Sequence, residues 1–418
     1  MNAGPLPPAL TGPGHNGGPP LEEPDPNASW RLWCWRRARG ASKMAKSQRE
    51  MAGAMISKAQ FKNFRGFRDL TLDGFRRLNL IVGNNGSGKT ALMEGLYLGA
   101  AASPQIALGL RQFRGFPPPQ GPMALPSLSA LWEDLFRNFE IAPGVQIDIS
   151  GNESNNGSFD RSLRIYSAQN DSITVPFPTP AEPQLPSTPN TAFKNISFEW
   201  RWRRNGEAEA KAVITPQMTP AGLLMGQAAG GIVGGILPAR WGFSADLAAE
   251  NFTGLVKKGQ KAKFISAMTT LFPDVLEIDA GHEQGHGLLL VRLKNFDRPI
   301  PAFLFSDGFG RISEILLLIA QLSGGFVLVD EIENGLYFER YANVLKAIDQ
   351  FSEEFGAQIF CTTHSDAILD AFHEHVANKT NDFSIIRCFR AEDGGTSARI
   401  ISGDRAEQAL RSGIELRV

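Results

Sequence analysis

The chain has little cysteine, almost no net charge and no long unbroken apolar run. Its three cysteines, Cys34, Cys361 and Cys388, stand too far apart for a disulfide framework or a thiolate metal cluster, which fits a reducing cytoplasm. Lysine and arginine number 42 against 43 acidic residues, so no global field commits the protein to nucleic acid; any such contact must come from a local patch. The most apolar window, 221–237, is broken by glycines and carries Gln227, and reads as a flexible or lid-like loop rather than a membrane span. A signal peptide is missing, because the first charged residues are acidic and no apolar segment follows. Sustained heptads are missing too, which argues against a long coiled-coil arm. The seven tryptophans form no repeat.

Proline is plentiful but unevenly placed. Eight prolines fall within the first 26 residues, which cannot build a core, and between Ser29 and Arg49 follow seven Lys/Arg and three tryptophans. Residues 1–54 therefore read as an extension, either a disordered tail or mis-assigned start before Met55, or a basic aromatic arm for nucleic acid or an anionic surface. Residues 55–105 read as strand, turn, two strands, a glycine-rich loop and a helix. Residues 106–250 combine proline clusters with alternating segments such as 145–149 and 196–202, which predict antiparallel strands. Residues 251–418 alternate helix and strand, with buried strands at Phe326–Val329 and Gln358–Cys361, which predicts a parallel sheet covered by helices.

Chemistry concentrates in four places. The loop Gly83-Asn84-Asn85-Gly86-Ser87-Gly88-Lys89-Thr90 follows the apolar run 78–82 and precedes a helix-forming stretch, the context a phosphate loop requires. Its glycines let backbone N–H groups turn inward onto phosphate oxygens, Lys89 supplies a point charge, and Thr90 offers a hydroxyl to Mg2+. Asp330 and Glu331 stand at the carboxyl end of Phe326–Val329, where Asp330 suits Mg2+ and Glu331 suits a base or orienter for an attacking water. His364 follows the next strand and is suited to reach a terminal phosphate. Ser306, Gly308 and Gly310 open a strongly apolar helix, an anion-binding arrangement. Two other clusters read more plainly: His282, Glu283 and His286 among glycines suggest a hairpin tip rather than a metal helix. Lys257, Lys258, Lys261 and Lys263 suggest a solvated helix face, with a DNA-backbone contact as the alternative.

Taken in order, KNFRGF, GNNGSGKT, SDGFGR, LVDEIENGL and TTHS resemble the ABC-type ATPases of the SMC/RecF/OLD-like group, with an AAA-15 or AAA-21 type core; the resemblance covers about 55–105 and 270–418. It implies an α/β fold, a P-loop NTPase head with a mixed sheet and flanking helices, to which the alternation in 106–250 and the composition of 1–54 add an antiparallel strand-containing insertion and a disordered N-terminal arm. It also implies ATP and Mg2+ as ligands, residues 83–90 as Walker A, Asp330 in Walker B and Glu331 as catalytic glutamate. Ser306 to Gly310 is similar to a degenerate signature motif, Asn334-Gly335-Leu336 to the D-loop, His364 to the H-switch, and Arg65 to a basic residue near the nucleotide. Tyr337 stands where family members often have histidine, and no Q-loop glutamine is evident in 132–141. With one phosphate loop and one signature per chain, the resemblance implies a homodimer with two composite ATP sites. Fewer than 55 residues follow His364, too few for a toprim domain, and no nuclease site is visible. The expected function is a cytoplasmic ATPase whose closure switches binding of DNA or of a separately encoded nuclease or toxin, in defence against phage or plasmid. A RecF-like repair ATPase and a non-hydrolysing scaffold are the alternatives.

Overall fold

A computed structural model of the protein describes residues 53–116, 130–153, 157–168, 196–219, 222–228, 230–239, 245–376 and 379–411. The proline-rich and basic extension, apart from its last two residues, and the proline clusters at 117–126 and 176–189 lie outside the described residues.

The first half builds an antiparallel sheet. Its strands are β1 (Met55–Phe64), β2 (Phe67–Asp73), β4 (Val145–Asn152), β5 (Ser158–Ser167), β6 (Ile196–Arg204) and β7 (Ala210–Ile214), while β3 (Leu78–Val82) leaves for a second sheet. Their order is β2-β1-β4-β5-β6-β7, so strands of the 106–250 segment continue directly from β1. Period-two patterning explains the arrangement: Phe61, Ile147, Ile149, Leu163, Phe198 and Trp200 are buried on one face. A small hairpin, β8 (Gln217–Thr219) and β9 (Gly222–Leu224), follows.

The second sheet contains β10 (Gly234–Leu237), β14 (Phe326–Val329), β15 (Gln358–Thr362), β16 (Phe383–Arg390) and β17 (Thr396–Ser402) together with β3, in the order β10-β14-β15-β3-β16-β17. All neighbours are parallel except β16 and β17. A third sheet joins β11 (Val275–Glu283), β12 (His286–Leu293) and β13 (Ile300–Pro301). The helices are α1 (Lys89–Ala100), α2 (Gln105–Phe113), α3 (Ala245–Lys257), α4 (Lys261–Leu271), α5 (Asp307–Gln321), α6 (Tyr341–Phe355), α7 (Asp366–Val376) and α8 (Gly403–Arg411). The buried strands expected at Phe326–Val329 and Gln358–Cys361 form as β14 and β15, the second extending to Thr362.

The parallel sheet is apolar on both faces because both are covered. Val327 and Val329 pack into a core with Phe252, Phe264, Ile312 and Val344 of the helices. Phe326 and Leu328 pack into a second core with Leu92 and Leu96 of α1 and the antiparallel sheet. Helix α1 is thus held between the two sheets. A Cβ on its Gly95 would lie 2.6 Å from the Phe61 ring, and one on Gly99 would lie 2.6 Å from Ile147. Arg161 donates to the carbonyls of Gly99 (3.4 Å) and Ala101 (2.9 Å), placing a cation at the C-terminus of α1; burial lowers its pKa to about 10.

The expectation of a lid-like loop at 221–237 is corrected. Gly234 to Leu237 form the edge strand β10, paired in parallel with β14. Two of the glycines that suggested a loop, both in β10, are required by packing: a Cβ on Gly234 would lie 2.2 Å from the Phe326 ring and one on Gly235 2.7 Å from Leu322.

Candidate nucleotide-binding site

The loop between β3 and α1 curls through positive φ at Gly83 (141°), Gly86 (74°) and Gly88 (99°), values that only glycine adopts readily. Lys89 folds over the loop and donates to the carbonyls of Gly83 (2.7 Å) and Asn84 (3.2 Å); burial lowers its pKa. Asn84, Asn85 and Gly86 are exposed, whereas Ser87 is buried and its hydroxyl has no hydrogen-bond partner among the described residues.

The parallel register carries the catalytic candidates to the same end of the sheet. Thr90 Oγ1 lies 3.4 and 3.5 Å from the two carboxylate oxygens of Asp330. Thr362 at the end of β15 donates to Asp330 Oδ1 (2.7 Å), and its hydroxyl accepts the backbone N–H of Glu331 (2.8 Å). The Asp330 pKa is raised, chiefly by burial and then by the charges of Glu331 and Glu94, against the pull of the Thr362 bond. Glu331 adopts a left-handed conformation (φ 49°), an uncommon and costly state for a residue with a side chain. Its carboxylate accepts from Asn334 Nδ2 (2.9 Å), which also donates to the Ala239 carbonyl (3.1 Å). His364 is half exposed, with its backbone N–H (2.7 Å) and Nδ1 (2.9 Å) both on Glu333 Oε1.

Ser306 caps α5 and accepts from the Phe309 N–H (3.4 Å). A Cβ on Gly308 would lie 2.6 Å from the Gly335 carbonyl, so the signature-like turn lies against the D-loop-like turn. Gly310 faces open space, with nothing within 4 Å of its Cβ position. Large apolar side chains flank both turns in solvent: Phe303 and Leu304 at 65% exposure, Tyr337 at 59% and Phe338 at 57%.

Two functional contacts escape sequence reasoning. Glu333, two residues past Glu331, draws no role from the motif around it yet accepts from the His364 backbone N–H and lies 2.9 Å from its Nδ1. Arg311, on the second turn of α5, donates to the carbonyls of Asp330 (2.6 Å) and Pro238 (2.9 Å). It joins the signature-like helix to the end of β14, and burial lowers its pKa. The signal for Arg311 was a lone cation on an otherwise apolar helix face.

Arg65 pairs with Glu94, a carboxylate close enough to Asp330 to help raise the Asp330 pKa. It sits in the β1–β2 turn at φ 49° with its guanidinium paired to Glu94 (2.9 Å) and Asp134 (3.4 Å). Arg114 shares Glu94 (2.8 and 2.7 Å). The basic segment also resolves into local pairs: Lys258 donates to the Ala320 carbonyl (2.9 Å), Lys261 pairs with Asp279, and Lys263 with Glu354. The His282–His286 segment is the β11–β12 hairpin, with His286 on Asp246 (3.1 Å). A cavity of about 360 Å³ on the antiparallel sheet, lined by Lys58, Asp148, Asp160, Arg201 and Arg203, is built from none of the nucleotide-site residues. No described helix is long and apolar enough to cross a membrane.

This fold and site define a P-loop nucleoside triphosphatase. Residues 58–103 match the family model "AAA domain", and residues 259–370 match "AAA domain, putative AbiEii toxin, Type IV TA system". The chain is 22% identical over 391 residues to an "ATP/GTP phosphatase" of Helicobacter pylori, covering 84% of this chain and 97% of that protein. A shorter stretch of 47 residues is 47% identical to the DNA replication and repair protein RecF of Bacillus cytotoxicus, 11% of this chain and 13% of that one. Among solved structures, an SMC head bound to the C-winged helix domain of ScpA aligns at TM-score 0.49 and 15% identity, covering 84% of this chain and 99% of that one. With these motifs in this geometry, the chain carries the site of a P-loop ATPase and matches AAA-domain family models over two stretches that hold its phosphate loop and its Asp330–His364 region.

Proposed function

We propose that the protein is a cytoplasmic ATP-driven switch that closes as a homodimer through two composite ATP sites. One observation carries this reading. Each chain has one phosphate loop and one signature-like turn, and that turn presents the open face of Gly310 beside exposed Phe303, Leu304, Tyr337 and Phe338. Such a face fits a second copy laid across the first, its Ser306 and Gly308 turn covering the partner's nucleotide.

Within one site, the N–H groups of residues 83–90 and Lys89 take the phosphates, releasing Lys89 from the carbonyls of Gly83 and Asn84. Thr90 and Asp330 suit Mg2+: a hydroxyl and a carboxylate 3.4–3.5 Å apart are the oxygen donors this ion takes. Thr90 and Asp330 would hold the ion, which would supply neutralisation of the charge developing on the phosphoryl group. Glu331, fixed by Thr362 and Asn334, receives the proton of an in-line attacking water. His364, fixed by Glu333, donates to the terminal phosphate. Hydrolysis weakens closure and shifts the population back to open.

The family description naming a Type IV TA system supports a role in phage or plasmid defence with a separately encoded nuclease or toxin as effector. The RecF match supports direct DNA binding in repair as the second reading. The test is Glu331→Gln. ATP binding persists, turnover falls by at least a hundredfold, and a dimer accumulates with ATP on size-exclusion chromatography. Turnover at the parental rate refutes the role of Glu331, and a variant that stays monomeric with bound ATP refutes the composite site.

A further inference from the structure

The phosphate loop has a second flank, built by the β16–β17 hairpin. Strand β16 runs parallel to β3 with Arg387 opposite Val82, so the residues after it travel beside the loop. The Cys388 carbonyl closes on Gly83, at 2.2 Å from its Cβ position. Arg390 Nη2 lies 3.7 Å from the Cβ position of Gly86, an exposed residue at φ 74° in the middle of the loop.

Arg390 is exposed and makes no ion pair among the described residues. Of the two acids in its own hairpin, Asp393 meets Arg137 (3.5 Å) and accepts the Gly395 N–H (2.9 Å), and Glu392 is exposed and pairs with no cation among the described residues. The hairpin is braced where Arg390 leaves it. Ala391 donates to the Gly395 carbonyl (3.0 Å), Gly394 to that of Ala391 (3.0 Å), and Thr396 to that of Gly66 (3.0 Å). A cation is therefore held over the loop by a fixed turn, with its charge unspent.

Topology says which part of a nucleotide it meets. Asp330, Thr362 and His364 follow β14 and β15, on one side of β3, and Arg390 ends β16 on the other. A triphosphate laid along the loop with its reacting end toward Asp330 passes its inner phosphates toward Gly86. We propose that Arg390 is a nucleotide-binding residue that contacts a non-terminal phosphate, a second cation opposite Lys89. This rests on the reading of the loop as an ATP site.

The test is Arg390→Ala, with Arg390→Lys beside it, in calorimetric titrations of ATP, ADP and inorganic tripolyphosphate and in steady-state ATPase assays. An exposed arginine leaves folding intact, which a thermal melt checks. Loss of a charged hydrogen bond predicts affinity for all three ligands reduced by about ten- to hundredfold, KM raised in proportion and kcat within twofold. Lysine restores part of the affinity. Unchanged affinities overturn the proposal. So does a loss confined to ATP, which marks a terminal-phosphate contact, or one that spares tripolyphosphate, which marks a base contact. Failure of the parental protein to bind ATP sinks the underlying site assignment instead.

Discussion

Replacing Gly308 or Gly310 by alanine separates the packed side of the signature-like turn from its open side. Both residues lie in α5, where alanine gains up to about 1 kcal/mol of helix propensity over glycine. At Gly310 nothing opposes that gain, because its Cβ position is empty to 4 Å. At Gly308 the new methyl lies 2.6 Å from the Gly335 carbonyl, a backbone atom. An ordinary contact needs a separation of roughly 3.4 Å or more, so the two turns must part by several tenths of an ångström, at the ~1–3 kcal/mol typical of overpacking. Two identical substitutions two residues apart should therefore differ by about 2 kcal/mol in stability, Gly308→Ala falling and Gly310→Ala holding or rising. Urea unfolding followed by fluorescence measures the difference. Turnover supplies the second axis: Gly308→Ala loses it through displacement of the turn, whereas, on the proposed composite site, Gly310→Ala loses it at full stability, because its methyl enters the open face assigned to a second copy. Equal stabilities refute the packing argument, and parental turnover by Gly310→Ala refutes the assignment of that open face to the composite site.

Asp330→Asn keeps an oxygen for the Thr362 hydroxyl but removes a charge whose pKa the folded protein raises. A raised carboxyl contributes stability that is fully present below its unfolded value and lost as pH rises through its folded one. Melts without nucleotide should show the variant more stable than the parent at pH 7, by about 0.5–2 kcal/mol, with the gap shrinking toward acid while Mg2+-dependent turnover is abolished. Arg311→Met strands the carbonyls of Asp330 and Pro238, and chemical denaturation should show a loss of about 2–4 kcal/mol. Glu333→Ala removes both anchors of His364; steady-state kinetics should show kcat down about tenfold to hundredfold with KM changed less than twofold.

The part of the site that sequence made legible is the part carried by short contiguous patterns. A phosphate loop announces itself because strand, glycines, lysine and helix are adjacent, and Asp330 and Glu331 because an apolar strand points to them. Contacts made across the fold left no such trace. Arg311 reaches Pro238 over 73 residues, and Arg65 meets Asp134 over 69. The resemblance set Arg65 beside the nucleotide; its two carboxylate partners could be seen only once α1 and the 132–141 segment had packed. Strand β10 was misread because glycine there answers to the Phe326 ring, a tertiary neighbour, and not to local chain freedom. The lysines of 257–263 read as a solvated helix face, with a DNA contact as the alternative, because the partners of Lys258, Lys261 and Lys263 come from three other elements, as Ala320, Asp279 and Glu354.

Strand β3 is bracketed by β15 and β16, both made late in synthesis. The residues that touch the phosphate loop, Cys388, Arg390 and Thr396, therefore leave the ribosome some 290 residues or more after the loop itself, since the loop ends at Thr90 and β16 begins at Phe383. At about 5–20 residues per second, the loop waits roughly a quarter of a minute to a minute without its walls. During that interval β3 has an open edge on each side, and the nascent chain has no competent nucleotide site. ATP binding in this protein thus certifies that translation has reached its last strands, and a chain interrupted before β16 should be an aggregation-prone fragment rather than a weakened ATPase.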